Sequence, residues 1–217
     1  VNYMQMKPTF SADSPIVLIA NGIFPTHSLP LGLLNKAKLI FAIDGGYTQA
    51  TQHQIQPSYI FGDMDSTSIQ KENFIGNWIE LPDQNKTDLE KTLDWCIDHG
   101  VVHVILLGAT GYREDMTLAN HYILFDYVDK INITMVTDHF TITCHKGQKS
   151  FNSNPGETVS IIAHHSGTVI SSTALKYPIN QMILDPSARA ISNQSIGSTF
   201  SIDASDSVIV FKSHTID

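Results

Sequence analysis

Four apolar runs constrain this chain more than any other feature. Residues 15–20 (PIVLIA), 38–43 (KLIFAI), 59–61 (YIF) and 101–107 (VVHVILL) show almost no alternation of polar and apolar side chains. Strands that read apolar without a break are buried on both faces. Between the runs the periodicity becomes helical. Residues 47–53 begin one helix. Thr87 and Glu90 have capping-box spacing ahead of Leu89, Leu93, Cys96 and Ile97, which share one helical face, and His99-Gly100 closes that helix. Another helix runs on from Glu114 through Leu118, Tyr122 and Phe125. Short strands are expected at 78–81 and 133–137. Such alternation predicts a parallel sheet with helices on both faces, and sheets of that kind bind ligands at the carboxyl ends of their strands.

After residue 138 the pattern changes. Short alternating runs at 140–144, 158–163, 168–171, 199–202 and 207–211 are separated by turn signals such as Asn152-Ser153-Asn154-Pro155-Gly156. This spacing predicts antiparallel pairing in a sandwich or barrel. The expected organisation is therefore an α/β nucleotide-binding domain over residues 1–137, followed by an antiparallel all-β sandwich domain over 138–217. A net charge of −8 argues against nucleic acid as a partner, which would require a basic footprint. No run is long and apolar enough to span a membrane, and residues 1–14 lack the basic-then-apolar layout of a signal peptide. Cys96 and Cys144 form neither a disulfide framework nor a zinc quartet, so a reducing, cytoplasmic setting is expected.

The polar punctuation concentrates at one edge. Asn21-Gly22, Asp44-Gly45-Gly46, Gly62-Asp63-Met64-Asp65-Ser66 and the segment 108–115 each follow an apolar run, and Asp88 opens a helix. Asp63 and Asp65, two residues apart, repel each other unless a cation lies between them, and Mg²⁺ takes one or two carboxylates together with substrate phosphates. Each feature also has a plainer reading. Asp-Met-Asp-Ser can be a solvated turn with Ser66 capping a helix, Asn21-Gly22 a structural turn, and Asp88 a carboxylate favoured by its helix dipole. Arg113 suits phosphate but can equally pair with Glu114. Tyr177 reads as a core aromatic or a ligand-facing one, and Ser192-Asn193 as a turn or a hydrogen-bonding pair. The placement of the first group along a single sheet edge favours a metal-nucleotide site.

Taken together, the motifs resemble the thiamine pyrophosphokinase family: D-G-G at 44–46, G-D-M-D-S at 62–66, Q-N-K-T-D-L-E at 84–90, G-A-T-G-Y-R-E-D-M-T-L-A-N at 108–120, L-K-Y-P at 175–178 and S-N at 192–193. The resemblance covers nearly the whole chain in family order. It implies a homodimer that transfers a pyrophosphoryl group from ATP to the hydroxyl of thiamine and releases AMP. Carried over by position, Asp63, Asp65 and Asp88 correspond to magnesium ligands. Asp44 and Asp115 join them as catalytic carboxylates. Gly45, Gly46, Thr87 and Arg113 fall where the nucleotide binds, and Asn21 and Gly22 are expected at the same site from their place after the first strand. Tyr177, Ser192 and Asn193 match thiamine contacts, the polar pair being presented to the partner subunit's active site. The chain departs from the family at Gln84-Asn85, where many members have Lys-Asp, at Tyr112 in place of a usual Gly, and at Met116 in place of a usual His. These departures leave open a non-catalytic thiamine- or nucleotide-binding sensor on the same scaffold.

Overall fold

The computed structural model describes residue 10, residues 15–62, residue 71 and residues 74–214. Asp63, Asp65 and Ser66, the heart of the two-carboxylate motif, lie outside the described residues. The chain divides into two compact units, Val1–Asn120 with Asp129–Asn132, and His121–Val128 with Ile133–Asp217. No helix among the described residues is long and apolar enough to cross a membrane.

In the first unit, β1 (Ile16–Ile19) leads through α1 (Ser28–Lys36) to β2 (Ile40–Ile43), and α2 (Gly46–Gln52) leads to β3 (Tyr59–Gly62). Strand β4 (Asn77–Glu80), α3 (Asp88–Asp98), β5 (His103–Leu107) and α4 (Glu114–Asp126) follow, with α4 belonging to this unit only as far as Asn120. The pairing is parallel throughout, in the order β5-β1-β2-β3-β4. The chain therefore starts in the middle of the sheet, steps outward to β4, then returns to lay β5 on the far side of β1.

The strands are buried on both faces, as their composition requires. Phe41 and Phe61 point to one side, where their rings meet Trp95 of α3 at centroid distances of 5.9 and 4.9 Å. Ala42 and Ile60 point to the other side and pack with Phe74, Tyr47 and Trp78. This two-residue alternation is the ordinary strand period. Helix α3 carries the predicted capping box: the Thr87 hydroxyl accepts from the Glu90 amide, and the Glu90 carboxylate accepts from the Thr87 amide at 2.8 Å. Gly100, at φ 78°, ends the helix in the left-handed conformation that glycine adopts without strain.

Helix α1 carries no strong sequence signal. Its N-cap is His27, whose Nδ1 accepts from the Leu29 amide, Gly32 lies at its centre, and only Pro30 and Leu34 are buried. A histidine cap and so narrow an apolar stripe fall outside the usual start and periodicity patterns.

The second unit is antiparallel. Strand β6 (Asn132–Val136) pairs antiparallel with β7 (Phe140–Asn152). Strands β8 (Thr158–Ala163), β9 (Thr168–Thr173), β10 (Met182–Leu184), β11 (Ala190–Gln194) and β12 (Thr199–Ser213) complete it. The run 140–144 proves to be the start of one long strand. The runs 199–202 and 207–211 are likewise a single strand, β12, interrupted by a bulge between Ala204 and Val208. The bulge splits one edge of β12: β9 pairs before it and β8 after it. The bulge carries Ser205-Asp206-Ser207, a stretch with no apolar side chain, which is why one strand reads as two. A core including Val159, Ile161, Phe200, Ile202, Val208 and Val210 holds these strands together.

Candidate active site at the carboxyl edge of the parallel sheet

The strand order reverses direction between β1 and β5. A crevice opens at such a switch point. The register places Ile19 beside Leu107 at the ends of the two strands. The loops stay zipped beyond them: the Gly22 amide donates to the Gly108 carbonyl at 2.6 Å, and the Ile23 amide to the Thr110 carbonyl at 2.9 Å. A side chain at Gly22 would collide with both carbonyls, so this close approach requires glycine.

The crevice is a cavity of about 470 Å³ whose walls include Asn21, Gly22, Asp44, Thr87, Asp88 and Arg113. Six of the residues singled out by sequence thus meet in one place, from the ends of β1 and β2, the start of α3 and the loop after β5. Asp44 adopts a left-handed conformation, φ 46°, its amide donating to the Phe61 carbonyl at 2.7 Å. Asp is among the few side chains that tolerate this region. Its Oδ1 is buried without a hydrogen-bond partner among the described residues. Asp88 Oδ1 lies 2.6 Å from the ammonium of Lys91, a buried cation that also donates to the Leu81 carbonyl at 2.9 Å. The Thr87 hydroxyl is committed to the capping box, donating to Glu90 Oε2 at 2.8 Å.

Arg113 pairs with Asp115 rather than Glu114. Its Nε and Nη2 donate to the two carboxylate oxygens at 3.1 and 2.6 Å. The hydrogen bond raises the guanidinium further and holds the Asp115 carboxyl below its ordinary value. Both side chains are exposed, and Asp115 is not part of the cavity wall. Gly45 and Gly46 start α2 directly behind Asp44. Asn85, at one of the departures, folds back on its own loop, its backbone and side-chain amides both donating to Asp83 Oδ1.

In the second unit, Tyr177 is exposed rather than a core residue, with the Lys176 ammonium 5.7 Å from its ring centroid. Ser192 and Asn193 belong to β11, not to a turn. Asn193 is buried and clamps Tyr177: Oδ1 accepts from the Tyr177 amide at 3.0 Å, and Nδ2 donates to its carbonyl at 2.7 Å. Ser192 has φ 60°, and its amide donates to Ser160 Oγ at 3.0 Å.

The family model for the catalytic domain of thiamin pyrophosphokinase matches residues 31–136, a span that includes Asp44, Thr87, Asp88 and Arg113. Over that span the chain is similar to the thiamin pyrophosphokinase family. Thiamin pyrophosphokinase 1 of Caenorhabditis elegans is 27% identical over 168 residues, 70% of this chain and 69% of that protein. The thiamine pyrophosphokinase structure from Bacillus subtilis has the same fold, with a TM-score of 0.79 at 22% identity, covering 94% of this chain and 100% of that one. A probable thiamine pyrophosphokinase from Staphylococcus saprophyticus gives a TM-score of 0.69 at 28% identity, with 94% and 100% covered.

Sequence reasoning assigned no role to two polar residues of the cavity wall, Gln49 and Asn120. Asn120 is buried and its Nδ2 donates to the Ala109 carbonyl at 2.7 Å, fixing the loop after β5. Its signal was its place at the end of the 108–120 motif, one helical turn beyond Met116. No group of three or more metal-ligating side chains is gathered among the described residues. The described donors nonetheless fit a hard cation: Asp88 and Asp44 offer oxygen only, they share a cavity, and Asp44 Oδ1 has no hydrogen-bond partner among the described residues.

Proposed function

We propose that this chain is a magnesium-dependent thiamine pyrophosphokinase that uses ATP as donor, with residues 1–137 carrying nucleotide and metal and 138–217, as a sandwich, carrying thiamine in a homodimer. The observation that carries this reading is the gathering of Asn21, Gly22, Asp44, Thr87, Asp88 and Arg113 around one cavity at the sheet's switch point. Asp63, Asp65 and Asp88 would hold Mg²⁺, which when bound neutralises charge on the phosphate oxygens.

The remaining chemistry falls to the chain's own residues. The thiamine hydroxyl oxygen attacks the β-phosphorus of ATP, the bond from that phosphorus to the α–β bridging oxygen breaks, and AMP leaves. The hydroxyl proton goes to a carboxylate. Asp44 is better suited than Asp115, because Arg113 depresses Asp115 and makes it a weaker base. Arg113 binds phosphate through the same planar fork that it now offers Asp115. An exposed ion pair of that kind is weak, so exchanging it for phosphate costs little. Positioning and charge neutralisation supply most of the rate in phosphoryl-type transfer. Tyr177 offers its exposed ring to the thiamine cation. Asn193 holds the Tyr177 backbone, and Ser192 stands beside it at the bulge of β11. Cys96 and Cys144 are both free thiols.

The test is purified protein with ATP, Mg²⁺ and thiamine, assayed for thiamine diphosphate and AMP. Thiamine-dependent AMP that EDTA abolishes supports the reading. Thiamine binding without product favours the sensor, and no thiamine binding overturns the substrate assignment.

A further inference from the structure

Tyr112 sits in a conformation that its own contacts do not explain. Its φ is 59°, and the Arg113 amide donates to the Gly111 carbonyl at 2.7 Å across it. A hydrogen bond spanning one residue at positive φ is the γ-turn of the rare, strained kind. Thr117 holds the turn from below: its Oγ1 accepts from the Gly111 amide at 3.0 Å and donates to the Arg113 carbonyl at 3.0 Å. Strain fixed in this way persists where surrounding structure over-determines it, and it marks functional sites. The ring contributes little to the core, since Tyr112 is 68% exposed, yet it lines the cavity together with Met116. An aromatic face beside a thioether suits a flat, apolar heterocycle, whereas the Asp44, Asp88 and Arg113 walls suit phosphates and their counter-ion.

We infer that Tyr112 is a specificity-determining residue whose ring stacks on the nucleobase of the phosphate donor. The inference rests on the reading of this cavity as the ATP site. Three variants separate the ring from the strain. Tyr112→Phe keeps both, Tyr112→Ala removes the ring and keeps the strain, and Tyr112→Gly removes both. Calorimetry with Mg-ATP and with Mg-tripolyphosphate, which lacks a base, reads the contact directly, and thermal unfolding reads the strain. ATP binding is expected to weaken about tenfold in both Tyr112→Ala and Tyr112→Gly and to stay unchanged in Tyr112→Phe, the usual scale of a lost base–aromatic stack. Tripolyphosphate binding stays unchanged in all three, and only Tyr112→Gly gains in Tm.

Equal weakening of ATP and tripolyphosphate would overturn the inference, because the loop's shape would then be the cause. So would recovery of ATP binding in Tyr112→Gly, or a loss confined to thiamine. A wild-type protein that binds tripolyphosphate but not ATP also rejects it. A wild type that binds neither instead removes the nucleotide reading beneath it.

Discussion

The two units use polar residues in opposite ways. In the parallel unit, backbone hydrogen bonds are satisfied within the ladder and the loops beyond it, and polar side chains at the strand ends face a cavity. Asp44 is the clearest case, with a carboxylate oxygen buried beside that cavity and no hydrogen-bond partner among the described residues. In the antiparallel unit, polar side chains are tied into the backbone. Asn193 bonds Tyr177 through both ends of its amide, Ser153 Oγ donates to the Gly197 carbonyl at 2.9 Å, and Ser195 Oγ to the Asn154 carbonyl. A crossover connection leaves one end of a parallel sheet free for chemistry, whereas hairpins and bulges occupy both ends of an antiparallel one.

Asp44→Asn tests this contrast most severely. The change is nearly isosteric, and Asn also tolerates positive φ. Turnover is expected to fall at least about 100-fold, the scale of losing one charged catalytic group, while Tm does not fall. Full turnover with lowered stability would show that Asp44 is structural and that the parallel unit uses its polar residues as the other unit does.

The next effect belongs to the antiparallel unit and to pH. His145 on β7 is buried, and desolvation, with the Lys149 ammonium adding to it, pushes its imidazole down to about 4. The unfolded chain, with an ordinary value near 6.5, takes up the proton first. Stability is therefore full above pH ~6.5 and falls as the pH drops toward 4, by on the order of 3 kcal/mol for this residue. Denaturant titrations of wild type and His145→Leu across that window should diverge in slope; parallel curves would dismiss the effect.

Asn193→Ala should act through the same unit. It removes bonds to the Tyr177 amide and carbonyl and to the Gln194 amide, at a cost of about 2 kcal/mol in stability. An unchanged denaturation midpoint, paired with a large rise in KM for thiamine, would turn Asn193 from a clamp into a direct ligand.

How legible these regions were in the sequence follows from the same physics. Unbroken apolar runs identified β1, β2, β3 and β5, because double-sided burial leaves no room for polar residues. The carboxyl-edge rule then gathered Asn21, Asp44, Asp88 and Arg113 correctly, since a parallel sheet fixes where its loops emerge. Three things were not legible. The order of β5 beside β1, which makes the switch point, is a tertiary choice. The merging of 199–202 with 207–211 was hidden by the polar residues Ser205-Asp206-Ser207 at the bulge, which interrupt the apolar pattern. The partner of Arg113 depended on the strained turn at Tyr112, and local spacing does not encode that turn.

The smallest effect separates structure from chemistry at a single residue. Thr87 both lines the cavity and caps α3, so any Thr87 variant mixes the two roles. Glu90 completes the same capping box but is not part of the cavity wall. Glu90→Ala removes the reciprocal bond to the Thr87 amide and frees the Thr87 hydroxyl from its 2.8 Å bond to Glu90. The expected cost is about 1 kcal/mol, a fall of a few degrees in Tm, with KM for ATP nearly unchanged. If KM rises severalfold while Tm holds, the cap's function is to orient the Thr87 hydroxyl toward the ligand, and the helix start belongs to the site rather than to the scaffold.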